Sequence, residues 1–259
     1  MMHMPQHPEV HGTSAYRGLR DWFATPSGLA VLREIEPRLE HRLGGLFGYH
    51  AVQVGNVAPG RDLMAGSRIG HRVVLDPEAA CAEVCADAAS LPLQGDSVDL
   101  VLLVHALELS EHPHQVLREV DRVLVPEGHV LLVGFNPLSL FGLWKLIFGW
   151  RGRLPWAERF YTTFRIRDWL ALLGFEVLAC DYVAHFAPWA RESWLRRGRL
   201  WERLVGRFWP GLGGVYLILG RKRVATLTPI KPRWRPRRAI LTGNMTSPTT
   251  RGLHRVDDR

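Results

Sequence analysis

From Val98 to Val104 the chain is apolar at every position but Asp99. A run of that length and content, bounded by polar residues, reads as a strand buried on both faces. Pro113 then opens a segment with Val116, Leu117, Val120, Val123 and Leu124 on one helical face, and after Pro126-Glu127-Gly128 a second apolar run spans His129 to Gly134. Strand, helix and strand with buried strands predict a βαβ unit whose strands are parallel. Upstream, Ala51–Gly55, His71–Leu75 and Glu83–Ala86 read as three earlier strands. Thr25-Pro26 predicts an N-cap and first helical position, followed by Leu29, Val31, Leu32, Ile35 and Leu39, with Pro37 expected to end or kink the helix. Downstream, Ile166–Leu173 predicts a helix closed by Gly174, Phe175–Cys180 a sixth strand, and Gly214–Gly220 a last one. The expected fold class is α/β: a doubly wound, mostly parallel seven-stranded sheet.

The first half of this pattern is compressed. Gly55 and the second strand are separated by a short stretch containing Pro59, Gly60, Gly66 and Gly70, which leaves room for one short helix. Even less lies between Asp76 and Cys85. The organisation expected is a flexible N-terminus over 1–20, one domain over 21–225 and a basic disordered tail over 226–259.

Charge sharpens the last boundary. The whole chain of 259 residues carries +8, whereas residues 221–259 hold eleven Lys and Arg against Asp257 and Asp258, or +9, so the remainder is −1. The tail contains Pro229, Pro232, Pro236 and Pro248 and few large apolar side chains, a composition that cannot bury enough surface to offset chain entropy. It is either a weak contact for nucleic acid or anionic lipid, or a solubility tail. Three cysteines without CxxC spacing, Cys81, Cys85 and Cys180, argue against a disulfide framework or structural zinc site and fit a reducing cytoplasm. The N-terminus has neither the basic nor the apolar region of a signal peptide, and no apolar run reaches the ~20 residues of a spanning helix.

The ordered elements Asp87-Ala88-Ala89-Ser90-Leu91-Pro92-Leu93, the strand 98–104, His105, Arg122-Val123-Leu124-Val125-Pro126-Glu127-Gly128 and the strand 129–134 resemble the middle of class I S-adenosylmethionine-dependent methyltransferases of type 11. Thr162 to Leu178, a helix ending in Gly-Phe before a strand, resembles the late part of the same family. Gly55-Asn56, the Ala86-Asp87 to Leu91-Pro92 turn, His105 and Gly134-Phe135-Asn136-Pro137 are similar to the YafS-type methyltransferase-like proteins. The resemblance implies a Rossmann-like methyltransferase fold whose last strand lies antiparallel, and S-adenosylmethionine as cofactor. It assigns Gly55, Asn56, Asp76, Asp87, Ala88 and His105 to the cofactor, with Asp76 at the ribose and Asp87 at the adenine, and makes His105 the candidate catalytic residue.

Departures are concentrated at the cofactor loop. Gln53 replaces the family's acid, and Val57 and Pro59 stand where two glycines are usual. Each adds bulk or fixes φ. Gly55 could equally be a tight strand end, Asp87 a turn cap, and His105 a loop hydrogen-bonder rather than a general base. Asp99 reads as structural, and Glu108, Glu111 and His112 as a solvated loop without a metal cluster. The apolar stretch Leu138–Trp150 is a lid, a membrane-lying element, or a core or dimer helix. Four tryptophans and six arginines over 186–210 suit either nucleic-acid stacking or a solvated amphipathic helix. Two functions follow: a methyltransferase acting on an unidentified small or lipophilic acceptor, or a pseudo-methyltransferase serving as a binding or scaffold protein. An RNA-modifying enzyme is a third, resting on the tail alone.

Overall fold

The computed structural model describes residues 13–148, 159–185 and 210–223. The insert 186–209, residues 1–12 and the tail beyond 223 lie outside them, and the expectations for those segments with them.

Seven strands form one sheet: β1 His50–Val54, β2 His71–Asp76, β3 Val84–Cys85, β4 Val98–Val104, β5 Leu124–Phe135, β6 Phe175–Val183 and β7 Val215–Lys222. Their order is β3-β2-β1-β4-β5-β7-β6, and β7 runs antiparallel to both its neighbours. β4 is central, in register with β1 through Ala51–Val54 and with β5 through His129–Val133. Alternation along these strands divides the core. Ala51, Leu100, Leu102, Val104, Leu131 and Val133 face one layer, and Val52, Val54, Val101, Leu103, Val130 and Leu132 the other.

Helices cover both faces, and a single turn, α3 Ala106–Leu109, follows β4. α4 Pro113–Val123 and α6 Thr163–Leu172 bury Val116, Leu117, Val120, Val123, Ile166 and Leu170 on the second. The first is covered by α1 Thr13–Phe23 and α2 Pro26–Leu43. The first half is compressed as expected, yet even the short helix allowed after β1 is missing. The chain passes from β1 to β2 through turns, burying Val57, Ala58, Leu63, Met64 and Ile69 beneath α1 and α2. Between β2 and β3 there is one 3-10 turn, Ala79–Cys81.

Three local expectations need correction. Residues 13–20 are not flexible: Tyr16, Leu19, Arg20 and Phe23 recur at helical spacing and all are buried. Pro37 neither ends nor interrupts α2, which runs on to Leu43; Pro37 sits on the exposed face, where the carbonyl it leaves unpaired can meet water. The Pro126-Glu127-Gly128 turn is a bulge inside β5, which begins at Leu124. The register with β4 jumps there, and Glu127 takes a positive φ of 63°. α5 Leu140–Phe148 covers most of the apolar stretch: Phe141 is fully buried, whereas Leu143 and Leu146 are exposed.

Candidate functional site

Parallel order brings the carboxyl ends of β1, β2 and β4 to one edge of the sheet, the edge where ligands of open α/β sheets bind. Gly55 leaves β1 with φ +88°, and its N–H donates to the Leu75 carbonyl at 2.9 Å. A Cβ there would lie 2.6 Å from the Val104 carbonyl oxygen, so only glycine fits without a shift. Gln53, in the place of the family's acid, is buried and donates from Nε2 to the Gly55 carbonyl at 3.0 Å, which ties the loop down from beneath.

Asn56 and Asp76 meet at this edge. The Asn56 N–H donates to Asp76 Oδ2 at 2.7 Å, and its amide Nδ2 to the Cys81 carbonyl at 2.8 Å. Asp76 is fully buried and accepts a second bond from the Glu78 N–H at 2.9 Å. Its other partner is Arg20 of α1. That guanidinium ion-pairs with both Asp76 and Glu78 and donates from Nε to the Asn56 carbonyl at 2.8 Å. Arg20 is only 9% exposed, and the paired carboxylates hold its pKa above the usual arginine range despite burial. One turn earlier, the buried Tyr16 ring lies against Gly55; its hydroxyl has no hydrogen-bond partner among the described residues, and burial pushes its pKa well up.

Asp87 and Ala88 sit farther out, in a cavity of about 150 Å³ walled by Tyr16, Pro77, Ala106 and Leu109. Asp87 also accepts from the Ala89 N–H at 2.9 Å, so the turn cap and the cavity lining are the same residue. Of the expected residues, Gly55, Asp87 and Ala88 thus lie about Tyr16, while Asn56 and Asp76 are held by Arg20.

His105 stands apart from that group. It leaves β4 in the left-handed region, φ 54°, and its N–H donates to the Val133 carbonyl at 3.0 Å. Its ring packs between Phe135, at 4.2 Å, and Phe23, at 5.5 Å. Nδ1 meets Glu108 Oε2 at 2.5 Å, while Nε2 is buried without a hydrogen-bond partner among the described residues. Glu108 is therefore no part of a solvated loop: it is 4% exposed, and its second oxygen accepts from the Phe135 N–H. Burial raises its pKa, against the lowering pull of His105. Glu111 and His112 are exposed, as read. Asp99 is structural, accepting from the Tyr49 and His50 N–H groups at 2.8 and 2.9 Å.

Tyr16, Arg20 and Glu108 are the site residues that reading the sequence missed. The first two carried a signal, since 16, 19, 20 and 23 mark one helical face. Glu108 carried none, because an Asp/Glu three residues from a His is common in surface loops.

S-adenosylmethionine fits this edge unevenly. The cavity at Asp87 and Ala88 has room for one flat ring system, well short of the roughly 300–1,000 Å³ of a typical small-molecule site. Gly55 permits the close backbone approach. The Asp76 carboxylate is free to accept from a ribose only where Arg20 gives way.

Comparison with known proteins falls in line with this geometry. The type 11 methyltransferase-domain family model matches residues 64–132. The uncharacterized protein YafS of Escherichia coli is 34% identical over 212 residues, 81% of this chain and 84% of that protein. A malonyl-[acyl-carrier protein] O-methyltransferase of Halorhodospira halophila is 43% identical over 75 residues, 29% of this chain and 22% of its own. Among solved structures, a SAM-dependent methyltransferase from Thermotoga maritima, described as a possible histamine N-methyltransferase, superposes with a TM-score of 0.58 at 18% identity, covering 80% of this chain and 98% of its own.

Proposed function

Since the chain belongs to the YafS-type family of class I methyltransferase-like proteins, we propose that it binds S-adenosylmethionine and transfers its methyl group to a small acceptor. The observation that carries this reading is the convergence of Gly55, Asn56, Asp76, Asp87 and Ala88 on the carboxyl edge of β1, β2 and β4. When bound, the cofactor supplies a methyl already activated on a sulfonium. The protein's task is then to align the acceptor for in-line attack and to exclude water.

Each residue has a part in that task. Gly55 lets the backbone approach the cofactor. Asp87 and the apolar faces of Ala88 and Leu109 hold the adenine, and Asp76 takes the ribose after Arg20 has moved. For His105 to receive the acceptor's proton, its buried Nε2 must first be uncovered; with Nδ1–H donating to Glu108, that atom carries the lone pair. The cytoplasm is the compartment that suits the cysteines. Among the described residues no helix is long and apolar enough to cross a membrane.

The second reading, a methyltransferase fold kept as a binding scaffold, draws support from one contact: Arg20 already satisfies Asp76. Calorimetry with S-adenosylhomocysteine separates the two. A saturable Kd that weakens in Asp87→Ala supports the enzyme. Wild-type protein with no heat and no thermal shift at millimolar ligand leaves the scaffold.

A further inference from the structure

A second cleft opens beside the cofactor edge. It has a volume of about 760 Å³ and lies between the start of α4 and the start of α6. Arg118, Arg159 and Arg165 line it, together with His112 and His114, against Glu111 as the one carboxylate among the described residues of its lining. Among the described residues none of the three guanidinium groups has a carboxylate partner; Arg118 donates from Nε to the Gln115 side chain at 3.0 Å. Three like charges gathered in one concavity repel each other unless an anion joins them.

The cleft is also shaped. Its floor is Trp169 and Tyr161, both buried. Arg165 lies over them, 5.1 Å from the Trp169 ring and 5.9 Å from Tyr161, and His114 packs on Trp169 at 4.1 Å. The aromatic platform is thus already covered by Arg165 and the His114 ring, which leaves guanidinium edges as the recognition surface. The α4 N-terminus enters the same cleft: its N-cap, His112, makes no side-chain capping bond, and Pro113 follows at the first helical position. Pro113 has no N–H and the Gln115 N–H donates to the His112 carbonyl at 2.9 Å, so the His114 N–H and the helix dipole are what this terminus adds to the positive field.

We propose that this cleft binds an organic phosphate, with its phosphoryl group held by Arg118, Arg159 and Arg165 at the α4 N-terminus. Guanidinium forks match phosphate oxygens in pairs, and a helix N-terminus favours the same charge. The volume is that of a small-molecule site, too large for a bare ion, so the phosphate carries an organic body. Glu111 and His112 rim both this cleft and the smaller cavity at Asp87 and Ala88. A ligand anchored by the arginines therefore extends toward the cofactor edge. Resting on the methyltransferase reading, the ligand is the methyl acceptor, and the phosphoryl group is its handle.

Calorimetry of the full chain with phenyl phosphate at 50 mM and 300 mM NaCl tests this. The expected result is saturable, salt-sensitive binding that weakens at least tenfold in Arg159→Gln/Arg165→Gln. In that variant the S-adenosylhomocysteine thermal shift stays as in wild type. Absence of saturable phenyl phosphate binding, or binding unchanged in the variant, overturns the site. Binding of a short oligonucleotide without phenyl phosphate binding also overturns it, in favour of a nucleic-acid groove. A cofactor shift without phosphate binding removes this inference alone. Phosphate binding without any cofactor shift removes the methyltransferase reading alone.

Discussion

Arg20 is where stability and ligand binding are expected to pull in opposite directions. In Arg20→Ala the fully buried Asp76 loses its cation but keeps the Asn56 and Glu78 N–H groups. Breaking a buried pair costs about 3–5 kcal/mol, and the two remaining donors put this case near the lower figure. At about 2–4 °C per kcal/mol for a domain of this size, the melting temperature should fall by roughly 6–12 °C. If ribose hydroxyls and Arg20 compete for Asp76, the same ~3 kcal/mol is what a cofactor must overcome in wild type. Removing Arg20 relieves that cost. The freed guanidinium of wild type recovers part of it in water and at Glu78. The Kd for S-adenosylhomocysteine should therefore drop ten- to a hundredfold, at about 1.4 kcal/mol per tenfold. Calorimetry on both proteins below the lower melting point reads this directly, with Asp76→Asn as a variant that should bind worse than either. An Arg20→Ala protein that is less stable and also binds no better, or worse, would refute the competition and make α1 part of the cofactor's own wall.

The other expectations are simpler. Gly55→Ala forces a Cβ to 2.6 Å from the Val104 carbonyl at φ +88°; the left-handed conformation alone costs about 1–2 kcal/mol, so the urea midpoint should fall with the slope unchanged. Glu108→Ala leaves His105 Nδ1 and the Phe135 N–H without their buried partner; a loss of roughly 2–4 kcal/mol is expected, with Glu108→Gln closer to wild type, both by chemical denaturation. Arg42 grips Asp181 with two bonds, 2.6 and 2.8 Å, joining α2 to β6, and holds that carboxyl below the usual carboxylate range. The stabilisation is therefore present above the unfolded carboxyl pKa and is lost as pH falls through the lower folded one. Arg42→Ala should cost about 1–2 kcal/mol at neutral pH, both partners being partly solvated, and the gap from wild type should close in melts taken progressively below about pH 4.

Elements whose burial is symmetric were legible in the chain. β4 was readable to the residue, and α4 to its first residue, because a strand buried on both faces and a helix with one apolar stripe leave unambiguous patterns. The compressed first half was legible too, while the antiparallel direction of β7 came from the family resemblance and not from the residue pattern. Polar side chains doing buried work were not. Arg20 and Glu108 are the residue types that usually mark a surface, and here each is buried by partners far away in sequence: Asp76 and Glu78 for one, the Phe135 N–H for the other. Composition along the chain cannot register such partners. For the same reason residues 13–20 read as loose, although their spacing was helical.

The substituted cofactor loop belongs to the same account. Gln53 in place of an acid, and Val57 in place of a glycine, look like losses when set against the family pattern. In the fold both are accommodated. Gln53 donates to the Gly55 carbonyl, which an ionised carboxylate could not do. Val57 is 1% exposed and packs in the cluster under α1 and α2. Where a helix would normally follow β1, its place is taken by turns and by α1, and that packing brings Tyr16 and Arg20 onto the edge where ligand would sit. The loop substitutions and the arginine on Asp76 are then two sides of one arrangement. Reversing one alone, for example Val57→Gly in a chain that keeps Arg20, should open a cavity in that cluster and lower the urea midpoint without tightening S-adenosylhomocysteine binding. A tighter Kd in that single variant would mean that the loop, and not α1, limits access to Asp76.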